Sequence, residues 1–155
     1  MQITKQLSLH LHQVFFGGNW TWSNLKDQLE GVTWQQATQK TNDLNTILAL
    51  TYHIYYYVEA LLKVVDGKPL DSKDKYSFDH PPVASENDWE EFKAKVFDDV
   101  TRLTEKIAEI PDSDLDQTFV DPKYGHYHRN LLGLIEHTHY HLGQIAIIKK
   151  MIIKK

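Results

Sequence analysis

The sequence predicts an all-α protein, a four-helix bundle folded as a single domain over residues 1–155. Two observations carry the prediction. Four segments place apolar residues at steps of three and four, the period of a helix that buries one side. Between them lie polar stretches whose prolines, Pro81, Pro82 and Pro111, cannot continue a helix. A chain of 155 residues is long enough to bury a core unaided, and the absence of cysteine excludes disulfides, thiolate zinc sites and a protein thiol nucleophile. Any metal must then be held by His, Asp or Glu, and any thiol must come from a small molecule.

Taken in order, Ile3, Leu7, Leu11, Val14 and Phe15 follow helical spacing and stop at Gly17 and Gly18. LSLHLH also alternates like a strand, and the wider window favours helix. Trp20, Trp22, Leu25 and Leu29 predict a short extra helix opening near Thr21, with Trp34 beginning another turn and the tryptophans plugging the core. From about Asn42 to Val65, one stripe (Leu44, Leu48, Thr51, Tyr55, Val58, Leu62, Val65) runs beside a second (Ile47, Leu50, Ile54, Leu61, Val64). So wide an apolar arc predicts a helix packed on more than one side.

The polar run DGKPLDSKDKYSFDHPPV follows. Ser85 and Asp88 then resemble a capping pair, with Asp a weaker partner than Glu or Gln. Trp89, Phe92, Val96, Val100, Leu103, Ile107 and Ile110 predict an amphipathic helix that Pro111 stops. After PDSDLDQTFVDPKYGHYH, the last helix is expected from about Arg129 to the C-terminus. Loops of this length in a compact domain are commonly functional or mobile.

The formal charge of −4 argues against a nucleic-acid partner, since phosphate affinity comes from clustered Lys and Arg. The basic end KKMIIKK reads as a helix C-terminus whose lysines complement the macrodipole. MQITKQLSLH lacks the charged flank and apolar core of a signal peptide. His53 and Glu59 interrupt one long apolar stretch, and Glu136 with three histidines the other, which is too polar for a membrane span. A cytoplasmic protein without a membrane partner is expected.

Histidine is the residue to follow. Nine in 155 residues give roughly half of one HxxxH pair by chance, so the spacing of His137 and His141 alone says little. Direction says more. At about 100° per residue, His141 lies about 40° from His137, and Leu134, Ile148 and Ile152 lie on the same side. Glu136 and His139 turn the other way, toward Lys150 and Lys154, a face expected to meet solvent. On the second helix His53 points away from Glu59, Lys63 and Asp66, and its neighbours include the small residues Thr46, Ala49 and Ala60, as Gly133 is near His137. Each histidine by itself could be a core residue satisfied by a carbonyl. For three inward imidazoles together, coordination of one ion would satisfy all at once.

Other metal and nucleophile motifs fail on spacing. A zincin protease needs Glu directly after the first His, where Thr138 stands. A di-iron bundle needs Glu-x-x-His on two helices, and only Glu136 with His139 supplies one. Neither a G-x-S-x-G elbow nor a phosphate-cradling Gly loop occurs.

With these residues in place, the chain resembles the DinB-like superfamily of metal-binding four-helix proteins. The likeness runs through GGNWTWSNLKDQLEGVTWQQA, ALTYHIYYYVEALL, FDHPPVASENDWE and LIEHTHYHLGQIAIIKK, so it covers nearly the whole chain, and YHLGQI is its most specific element. The resemblance implies an up-down-down-up bundle, often a homodimer, with His53, His137 and His141 holding a divalent ion such as zinc or nickel. Related families include bacillithiol transferases and mycothiol-dependent isomerases. The implied function is a metal-dependent enzyme that activates a low-molecular-weight thiol, or water, against a small electrophilic substrate, as a thiol S-transferase or hydrolase. Tyr57 and Gln144, each one turn from a triad histidine, are candidates to orient the bound molecule, and their other role would be to pack behind the triad. His126 and His128 read as surface residues, and no general base stands out. A different reading is a non-catalytic binding module or sensor, whose ion would have its fourth position closed.

Overall fold

The computed structural model describes residues 2–153. Its helices are α1 (Ile3–Phe16), α2 (Leu25–Leu29), α3 (Trp34–Thr38), α4 (Ile47–Val65), α5 (Glu86–Glu109) and α6 (Tyr127–Ile153). Among the described residues the only extended pairing is an isolated bridge between Thr118 and His126. None of these helices is long and apolar enough to cross a membrane.

The four long helices form a ring in which α1 and α4 each pack against both α5 and α6. Side-chain pairs give the directions. Thr4 meets Asp112, Ser8 Oγ donates to the Thr104 carbonyl at 2.6 Å, and Phe16 packs on Phe97, so α1 and α5 are antiparallel. Tyr55 meets Asp99 and Asp66 meets Lys106, so α4 and α5 are parallel. Leu50 faces Ile148 and Leu61 faces Leu134, so α4 and α6 are antiparallel. The order is up-down-down-up.

Local chemistry sets the helix ends. Gln2 offers α1 no side-chain cap, and Asp112, just after α5, supplies one. Its Oδ2 accepts from the Ile3 amide and its Oδ1 from the Thr4 amide and hydroxyl, each at 2.9 Å. Helix α4 starts at Ile47 because Thr46 caps it, accepting from the Ala49 amide. Leu44, expected in its apolar stripe, therefore lies outside the helix and is exposed. Ser85 accepts from the Asp88 amide as expected, while the short Asp88 side chain accepts from Ala84 N. Helix α6 begins two residues before Arg129, at Tyr127.

The largest correction concerns the tryptophans. Trp89 is fully buried and its Nε1 donates to the Val32 carbonyl at 2.8 Å. Trp20 and Trp22, expected to plug the core, are instead 95% and 93% exposed. The cause is Asn19, whose buried side chain donates to the carbonyls of Gln13 and Ser23 and accepts from the amide and hydroxyl of Thr21. That bonding folds the segment into a tight loop, with Trp22 at φ +57°, and turns both indoles outward. The short helix consequently opens at Leu25, capped by Asn24, and Leu25 and Leu29 alone enter the core.

A buried carboxylate fixes α4 against α5. Asp99 accepts from Tyr55 Oη at 2.8 Å, Lys95 Nζ at 2.9 Å and Arg102 at 3.0 Å, and Lys95 also touches the Tyr55 hydroxyl. Burial pushes the Asp99 carboxyl up, but Lys95, Tyr55 and Arg102 outweigh it and hold the group below the usual range. Burial and the same carboxylate raise the Tyr55 phenol.

Two outcomes check this description. Trp89→Ala should cost about 3–5 kcal/mol in urea denaturation, whereas Trp20→Ser should stay within about 0.5 kcal/mol. The Thr4 and Ile3 amides hold the Asp112 carboxyl below its ordinary value. Its stabilisation is therefore complete above the unfolded value, about pH 4, and fades as pH falls through that value toward the folded one. Asp112→Asn should be less stable at neutral pH and show a smaller loss of stability between about pH 5 and pH 3 than the wild type.

Candidate metal centre

Helix α4 contributes His53 and helix α6 contributes His137 and His141, which stand one turn apart on the side that faces α4. His53 and His141 are buried and His137 is half-buried. The three ring centroids are 4.5–4.8 Å apart. One nitrogen from each ring lies within 4.8 Å of the others, and the Nε2 atoms of His53 and His137 are 3.0 Å apart. Two nitrogens each about 2.1 Å from one ion would be about 3.4 Å apart at the tetrahedral angle, a few tenths of an ångström more than this separation. The donor set therefore fits a divalent ion.

Electrostatics keeps the donors available. Burial, followed by the proximity of His141 and His53, pushes His137 down to about 4. Burial and then His141 also lower His53, opposed by Asp74 and by a Ser77 backbone contact that falls short of hydrogen-bond geometry. At neutral pH both imidazoles are uncharged, and without an ion their Nε2 atoms share one hydrogen bond, one ring donating and the other accepting. Each Nδ1 of these two residues is buried without a hydrogen-bond partner. His141 differs, since its Nδ1 stands 2.7 Å from Gln144 Oε1. An amide oxygen only accepts, so Nδ1 carries the proton and Nε2 is left free for an ion.

Aromatic rings surround the cluster. Phe78 stacks on His53 at 4.0 Å and 7° between planes, Tyr57 sets its ring against His137 and His53, and Tyr140 meets His141 edge-on. Beside His137 lies a cavity of about 470 Å³ lined also by Tyr57, Asp74, Arg129, Gly133, Leu134 and Glu136. Tyr57 Oη donates to Asp74 Oδ1 at 3.2 Å, and burial raises its phenol.

The structure thus brings together the three histidines singled out in the sequence and places Tyr57 in the adjoining cavity. Gln144 is bonded to His141 and lines a different cavity, with Leu44, Leu50 and Ile147. His126 and His128 are exposed at the start of α6. Glu136 is exposed, yet it lines the cavity. His139, expected on the solvated face, is partly buried beside His10 of α1 with ring centroids 6.0 Å apart, and burial followed by His10 lowers its pKa. Lys154, assigned to that same face, lies outside the described residues. Phe78, Asp74, Arg129 and Asn130 were not anticipated, because no periodic pattern marks positions in a loop or at a helix entrance.

A family model, the DinB superfamily, matches residues 19–145. No curated protein and no solved structure matches the chain.

The Gln144 contact predicts a tautomer. Long-range ¹H–¹⁵N spectra of the metal-free protein should show His141 protonated at Nδ1, and Gln144→Leu should shift it toward the Nε2 form. An unchanged His141 pattern in that variant would contradict the assigned bond.

Proposed function

We propose, for a chain that belongs to the DinB superfamily, a metal-dependent enzyme that turns a low-molecular-weight thiol or water against a small electrophile. The observation that carries this reading is the cavity of about 470 Å³ opening directly onto His137, so that a bound molecule would lie beside the three-histidine cluster. A divalent ion held by His53, His137 and His141 would supply Lewis acidity, which favours the anionic form of a thiol or water near neutral pH. Three protein ligands are the number that catalytic sites commonly use while keeping a position open.

The chain's own residues then bind and orient. Leu61 and Leu134 give the cavity an apolar wall, while Arg129, Asp74 and Glu136 bring charges of both signs to it. The Asn130 amide nitrogen is occupied by the Tyr124 and His126 carbonyls, leaving its oxygen to accept from a ligand. Tyr57, already donating to Asp74, lines the cavity with its ring packed against His137. Because the chain has no cysteine, the nucleophilic thiol would be a cosubstrate.

The test combines metal content with turnover. Purified wild type should carry a divalent ion at about one per chain, and His137→Ala should lose it; equal content in both would sink the triad. Conjugation or hydrolysis of model electrophiles, with and without thiols, should fall at least about a hundredfold on chelation and return with added ion. Metal binding with no turnover on any thiol or water reaction would favour a binding module instead.

A further inference from the structure

A ligand imidazole is normally held by a hydrogen bond from the ring nitrogen facing away from the ion, which fixes the ring plane and raises ligand basicity. Of the three histidines here, only His141 has that support, from Gln144. The Nδ1 atoms of His53 and His137 are buried without a partner. The one hydrogen bond they make, between their own Nε2 atoms, is lost once an ion takes those nitrogens, and something else must then set their planes, since the χ2 torsion of histidine is a broad, soft well.

The packing supplies it. Phe78 lies parallel to His53 at 4.0 Å, and Tyr57 stands nearly perpendicular to both His137 (4.8 Å, 73°) and His53 (5.3 Å, 88°). Rotation of His53 about χ2 would drive its edge into the face of Phe78, and the Tyr57 ring closes the other direction. Phe78 is also 40% exposed, so filling the core does not explain its place. The strap carrying it is anchored on both sides of the site. Tyr56 Oη accepts from the Lys73 amide and donates to the Lys73 carbonyl, Tyr57 holds Asp74, and His80 rests against Tyr52.

We propose that Phe78 and Tyr57 are positioning residues that clamp His53 and His137 by aromatic packing in place of the usual hydrogen bonds. The inference rests on the three-histidine reading above. Its chemical consequence is distinctive: packing orients a ring without donating electron density through an N–H bond, so these two ligands stay weaker donors and leave more positive charge on an ion.

The test uses the whole chain with cobalt(II) as the probe ion, whose visible spectrum reports ligand geometry. Phe78→Leu keeps an apolar cover but has no stacking plane. It should lower cobalt affinity, measured by chelator competition, by about tenfold or more, and change the visible bands, while its melting temperature stays near that of the wild type. Phe78→Tyr, which keeps the stack, should restore affinity and spectrum. Wild-type affinity and bands in Phe78→Leu would overturn the clamp. If wild type binds no cobalt at all, the metal reading fails separately, and the clamp is then judged on metal-free protein. There, Phe78→Leu should broaden the His53 ring resonances through exchange, and sharp signals in that variant would overturn the clamp as well.

Discussion

Because α4 and α5 run parallel, the chain that leaves α4 at Val65 must travel the length of the bundle before α5 can begin at Glu86. A helix of 19 residues spans about 28 Å, a distance that no tight turn can cover. The connection instead climbs along α4, from the turn of Tyr56 and Tyr57 up to the level of Leu48. Lys73 meets Tyr56, Asp74 meets Tyr57, Phe78 meets His53, His80 meets Tyr52, and Val83 reaches the level of Leu48. The cover over the histidine cluster is therefore a product of topology. A bundle with antiparallel α4 and α5 would need only a short loop, and His53 would lack the Phe78 ring stacked on it.

His53 and His137 can stand so close together only while they remain uncharged. Burial favours this, and the proximity of one ring to the next reinforces it. The nearby carboxylates do little to offset the crowding, since burial and His141 outweigh the pull of Asp74 on His53. Asp74 is engaged with Tyr57, and Glu136 lines the cavity rather than the cluster. An ion at this place would keep its full charge directed toward whatever occupies the cavity. His53 and His137 have aromatic packing where His141 has a hydrogen bond, and neither Nδ1 has a partner in hydrogen-bond geometry that would make its ring a stronger donor.

The four helices were legible in the sequence because each carries a long apolar repeat, and the inward direction of His53, His137 and His141 followed from counting around single helices. That count has a limit which His139 shows: it gives an angle about one axis and is silent on which neighbour stands there, and α1 does. Trp20 and Trp22 failed for a different reason. One buried asparagine redirects the backbone at that point, and hydrophobicity carries no trace of it. Gln144 lies one turn from His141, a spacing that suits a ligand contact and a hydrogen bond to His141 equally. Phe78 and Asp74 were beyond reach because the climb along α4 determines what they meet, and a loop has no period from which to read its register.

The outward turn of Trp20 and Trp22 also divides the molecule's intrinsic fluorescence. Two of the four indoles are already in water in the native state, while Trp89 is sealed against Val32 and Trp34 is half-buried. The change of emission on unfolding must come almost wholly from the second pair, at the junction of α3 with the start of α5. A tryptophan-fluorescence melt thus reports on that end of the bundle, and loosening confined to the histidine cluster would leave the indole emission unchanged.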